Sequence, residues 1–108
     1  MKFKGRWHIY EMEMWGEDYF NQEVQAYIRI EKNGTGEFQF GYVHGEIDGK
    51  ITKHTNEDRF EFSWVGNDEN DPANGCGWIQ LRDSDIIEGE FRFHMGDDST
   101  FLARRTEE

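Results

Sequence analysis

Arg59-Phe60-Glu61-Phe62-Ser63-Trp64-Val65 is the stretch that decides the fold. Its large aromatics occupy every second position, and charged or small polar residues stand between them. Successive side chains of an extended chain point to opposite faces, so Phe60, Phe62 and Trp64 share one side. A helix would scatter them around its circumference. The unit polar-Phe-polar-Phe returns as Glu37-Phe38-Gln39-Phe40 and as Glu90-Phe91-Arg92-Phe93. The spacings are unequal and the flanks differ, so the recurrence is shared strand chemistry and not a repeat.

Working outward from 59–65, short turn signals separate further segments of alternating polarity. Strands are expected at 5–13, 24–31, 37–44, 47–53, 59–65, 76–82, 86–95 and 100–105, the fourth being the weakest. Lys32-Asn33-Gly34-Thr35-Gly36 is a turn, because Asn-Gly supplies positive φ. Gly45-Glu46 reads as another turn, and Asp48-Gly49 as a possible bulge. The stretch 66–75, with the chain's only proline, reads as a polar loop. No segment of ~10–12 residues has a 3.6-residue period. A meander of eight antiparallel strands disposes of its two edges by closing, so the fold class is all-β, an eight-stranded up-and-down barrel. Residues 1–108 form one domain, with 105–108 as a frayed tail.

Composition agrees. The 108 residues include 9 Phe, 4 Trp and 4 Tyr but only 2 Leu and 3 Ala, which disfavours a helical bundle. Twelve Lys and Arg face 23 Asp and Glu, a formal net charge of -11. Nucleic acid and anionic membranes both require clustered Lys and Arg, so neither is an expected partner. No apolar run is long enough to span a bilayer, and no apolar run follows Lys2 and Lys4 as in a signal peptide. With the single Cys76, this points to a cytoplasmic protein. The expected state is a monomer or a homodimer.

The two ends of the chain carry a pair of motifs. Gly5-Arg6-Trp7 opens the first strand, and Ala103-Arg104-Arg105 ends the last. This resembles the calycin pattern of lipocalins, fatty-acid-binding proteins and avidins, in which a Trp near the start packs beneath an Arg near the end. The resemblance implies an up-and-down barrel with a ligand site at one mouth, with Trp7 as the tryptophan and Arg104 or Arg105 as the arginine. Strand parity favours Arg105 if Phe101 points inward. The strings 7–15, 36–41 and 94–99 also resemble a set of small bacterial proteins to which no activity is attached.

The expected lumen is bulky: Trp7, Ile9, Ile28 and Ile30, then Phe38, Phe40 and Tyr42, then Phe60, Phe62, Trp64, Phe91 and Phe93. An eight-stranded barrel is just wide enough to be filled by side chains or to hold one small ligand. Ala26, Gly41 and Gly89 are the positions where space could open. Met14-Trp15-Gly16-Glu17-Asp18-Tyr19-Phe20 is too apolar for a simply solvated loop. It reads as a plug over the barrel end, or equally as a ligand lid or docking patch.

Trp15, Tyr19, Phe20, Tyr42 and His44 are therefore the candidate ligand-binding residues, with Tyr42 and His44 reaching inward at the mouth. His8, His54 and His94 lack metal-ligand spacing, so neither metal nor cofactor is expected. Asp68-Glu69-Asn70-Asp71 fails the calcium-loop template at Pro72 and Ala73. Cys76, between two glycines, reads as a small core filler. No nucleophile elbow, phosphate loop or dinucleotide fingerprint occurs, so nothing asks for catalysis. The expected function is binding of a small apolar or aromatic ligand at the mouth. The alternative is a solid-core interaction protein whose acidic outer surface takes a protein partner.

Overall fold

Aromatic and β-branched side chains on alternate residues build eight strands: β1 (Gly5–Met12), β2 (Tyr27–Ile30), β3 (Thr35–Phe40), β4 (Val43–His54), β5 (Glu57–Asp68), β6 (Asp71–Leu81), β7 (Ile86–Phe93) and β8 (Asp98–Arg105). The computed structural model describes residues 1–106. Each strand pairs antiparallel with the next, and β8 returns to β1, so the sheet closes into a barrel. A single helical turn, α1 (Glu17–Phe20), lies in the connection from β1 to β2. One end of the barrel, the plug end, holds α1 and the β3–β4, β5–β6 and β7–β8 turns. The base end holds the first residues, the other three turns and the end of β8.

The lumen is filled by rings. Phe38, Phe40, Phe60 and Phe91 are fully buried, and Phe91 lies 4.5 Å from both the Phe38 and Phe101 ring centres. So many aromatics fit because glycines stand opposite them in the ladders. Phe38 pairs with Gly45, Phe62 with Gly49 and Gly77, Trp64 with Gly75, and Phe101 with Gly89. A Cβ at Gly89 would stand 2.9 Å from Phe101 Cζ, and one at Gly45 2.8 Å from Trp64 Cε3. Gly89 and Gly41, expected to leave space, are thus occupied by the rings of neighbours. Ala26 is also fully buried. Among the described residues no buried side-chain nitrogen or oxygen lacks a hydrogen-bond partner.

At the base, the Arg105 guanidinium lies 4.2 Å from the centre of the buried Trp7 ring. It donates to the carbonyls of Lys4 (2.9 Å), Lys2 (3.2 Å) and Ser84 (3.2 Å). Trp7 Nε1 donates to the Phe3 carbonyl, and Phe3 packs fully buried against Phe60. Arg104, one residue earlier, faces out and covers Tyr10, the extra residue where the β1–β8 register shifts.

Several sequence expectations are corrected. The chain turns at Gly41-Tyr42, where Gly41 has φ +57, and β4 then runs unbroken from Val43 to His54. There is no turn at Gly45 and no bulge at Gly49, since the β4–β5 register is continuous. The stretch 66–75 is a hairpin: β5 reaches Asp68, β6 starts at Asp71, and Glu69 turns with φ 56. Pro72 is tolerated there because β6 pairs with β7 only from Gly75 onward, so one side of this arm has no ladder to lose. The second strand begins at Tyr27 and leaves Val24 exposed. Cys76 is exposed, not a core filler, because inward parity on β6 falls to Gly77 and Ile79. Arg105 belongs to β8 and Thr106 donates to the Arg6 carbonyl, so the chain is held through 106. Glu107 and Glu108 of the expected tail lie outside the described residues.

Candidate functional site

Four of the five candidate residues meet at the plug end. Met14 N–H donates to Ser99 Oγ (3.1 Å), which fixes where the chain leaves β1. The next residue, Trp15, then lies over the rim of the lumen. Its ring centre is 5.2 Å from Phe40, 6.0 Å from Tyr19 and 6.2 Å from Phe93. Phe20 is buried, and its carbonyl accepts the Gly41 N–H at 2.9 Å. Tyr19 meets Tyr42 edge-on at 6.2 Å. The Tyr19 ring occupies the space that a Cβ at residue 41 would need, so glycine is required there for room as well as for φ. These contacts make a plug, clamped to the barrel by packing and by backbone hydrogen bonds.

His44 is not part of it. The turn at Gly41-Tyr42 shifts the parity of β4, so Val43, Gly45 and Ile47 face inward. His44 sits on the outer wall between Gln39 and Asn67. Tyr42 occupies the turn itself, half-buried, instead of reaching down the lumen. Phe93 and Ser99 belong to the plug and are not among the ligand-binding residues the sequence singles out. Phe93 was legible as an inward aromatic near a strand end. Nothing local marked Ser99, whose hydroxyl matters only because the end of β1 passes beside it.

The electrostatics of the two ends differ. Arg92 is the only one of the 12 Lys and Arg on the plug-end half of the strands and turns. Glu17 and Asp18 on α1, Asp68, Glu69 and Asp71 at the β5–β6 turn, and Asp97 and Asp98 at the β7–β8 turn surround the plug. Burial, opposed by a backbone hydrogen bond at Tyr42, raises the Tyr19 phenol above its ordinary value, with Asp68 and Glu69 adding to the rise. At the base several carboxylates are paired with cations. Asp58 meets Lys53 (3.1 Å) and Lys2 (3.2 Å), and Glu88 meets Arg82 (3.1 Å). Hydrogen bonds from Lys53 and Lys2 hold the Asp58 carboxyl below the ordinary value.

On the outer wall, Arg59 covers Trp78 at 3.9 Å and Arg6 covers Tyr27 at 3.9 Å. A groove of about 430 Å³ there passes Glu11, Glu13, Trp78, Glu88 and Leu102. No group of three or more His, Cys, Asp or Glu among the described residues is placed to hold a metal ion, and no described helix is long and apolar enough to cross a membrane. No protein-family model matches the chain, and neither does any curated protein or solved structure.

Proposed function

We propose that this protein is a calycin-like barrel that binds a basic protein partner through its outer surface, its lumen being given over to packing. The observation that carries this reading is the segregation of charge along the barrel axis. Eleven of the 12 cations lie on the base half, and the plug end is left as a field of carboxylates with one arginine. Such a field steers an oppositely charged partner and speeds its encounter. The filled lumen supports the same reading, since Phe38, Phe40, Phe60 and Phe91 occupy the volume that a lipocalin gives to its ligand. Kinship with calycins is supported by the Trp7–Arg105 stack at the base.

The half-buried rings of Trp15, Tyr19 and Tyr42 favour a second reading, a small aromatic ligand taken at the plug when it lifts. One pair of measurements separates the two. Affinity capture at low and high salt should retain basic proteins whose binding weakens as salt rises. A screen of small hydrophobic compounds by tryptophan quenching should give no saturable binding. Saturable quenching abolished by Trp15→Ala would replace the first reading with the second.

A further inference from the structure

The plug end combines carboxylates that face a single arginine with two exposed methionines. Met95, on the β7–β8 turn, is 93% exposed, and Met14 is 49% exposed. Met14 is tied to Ser99 at the start of β8, and Trp15 lies over Phe93, two residues before Met95. Met14, Trp15 and Met95 thus gather about the β7–β8 turn. Val24, four residues after α1, is also exposed. Methionine is flexible and polarisable, so it moulds to more than one apolar partner surface.

Charge says what that partner carries. Among the described residues, seven of the eight ion pairs lie on the base half of the molecule; the exception is Arg92 with Asp98 at 3.4 Å. Among the described residues, Asp68 and Glu69 at the β5–β6 turn and Asp97 beside Asp98 form no ion pair with a cation of this chain.

We propose that the plug end is the docking surface, and that its occupant is a basic amphipathic segment of a protein partner. The segment's apolar side chains settle on Met14, Trp15 and Met95, and its Lys or Arg side chains meet the acidic turns. This rests on the outer-surface reading and adds the place and the kind of segment. A second copy of the chain is a poor occupant, because two such ends repel.

The test uses the full chain and two synthetic peptides of equal positive charge, one alternating Lys with Leu in amphipathic register and one with Ser in place of Leu. Binding is followed by tryptophan fluorescence and by amide chemical shifts. The Lys-Leu peptide should bind saturably, shifting amides of 13–20 and 93–99, and raising salt from about 0.1 M to about 1 M should weaken it at least about tenfold. The Lys-Ser peptide should bind about tenfold more weakly. Met14→Ser with Met95→Ser, both exposed and outside the core, should cost about tenfold with the Lys-Leu peptide only. Glu69→Gln with Asp97→Asn should weaken both peptides, whereas Asp48→Asn with Glu57→Gln, the same charge change away from the plug, should leave both unchanged.

Equal binding of the two peptides, with the two pairs of charge variants equivalent, would mean attraction by net charge alone and overturn the docking site while the outer-surface reading stands. Shifts mapping to the outer wall would do the same. Failure of both peptides to bind at any salt would overturn both readings. Concentration-dependent dimerisation abolished by the Met14 and Met95 changes would assign the patch to a second copy and overturn the proposal.

Discussion

Gly41 shows how one residue positions the plug. Its φ of +57 reverses the chain between β3 and β4, its N–H holds the Phe20 carbonyl, and its missing Cβ admits the Tyr19 ring. Gly41→Ala meets both strained backbone and the Tyr19 ring, so it should destabilise the fold by about 1–3 kcal/mol. A urea midpoint unchanged from wild type would show that Tyr19 moves aside freely. Arg105 acts similarly at the base, stacking on Trp7 and donating to three carbonyls. Lysine has neither the planar face nor the fork, so Arg105→Lys should cost about 1–2 kcal/mol, against under about 0.5 kcal/mol for Arg104→Lys. Equal losses in thermal or urea unfolding would refute the distinction. The sequence left these two arginines open on motif alone. Parity resolved them, because Phe101 and Ala103 are both buried and residue 105 follows in phase.

At the scale of elements, the β5–β6 hairpin is the informative case. Two residues, Glu69 and Asn70, join Asp68 to Asp71, and only the first of them has positive φ, as a type II′ turn requires. Glycine is the natural occupant of that position. Glu69→Gly should therefore stabilise the chain by up to about 1 kcal/mol, read as a higher denaturation midpoint. A fall in the midpoint would mean that the Glu69 side chain supplies more than the turn. The same hairpin shows why the sequence misled. Gly66, the run of Asn and Asp, and Pro72 each weigh toward a loop. Pairing with β4 on one side, and an unpaired flank beside Pro72 on the other, override that local preference. The β3–β4 turn falls at Gly41-Tyr42 and not at Gly45-Glu46 for a related reason. Gly41-Tyr42 and Gly45-Glu46 are comparable turn signals locally, and what separates them is that Phe38 and Trp64 need residue 45 to have no side chain.

For the whole molecule, charge sets the response to pH. Asp58 joins β5 to the N-terminal arm through Lys2, and hydrogen bonds from Lys53 and Lys2 lower its pKa below 3.8. A carboxyl whose folded pKa is depressed adds stability above its unfolded value and loses it as pH falls through the folded one. Wild type should therefore lose stability relative to Asp58→Asn below about pH 3.8. Parallel stability–pH curves for the two proteins in that range would show the pairing to be idle.

Alternation at 59–65 and its two relatives fixed strand type, inward face and an eight-fold meander from local chemistry, because the two-residue period of an extended chain is written residue by residue. The aromatic character of residues 14–20 likewise foretold a covered barrel end. Tertiary structure alone decided whether the lumen was hollow, since glycines read as gaps become seats once a ring from the neighbouring strand lies over them. It also decided that His44 faces outward, that Cys76 is exposed, and that nearly all the cations share one end. Each of these depends on where distant segments meet, and a spacing along the chain does not record that.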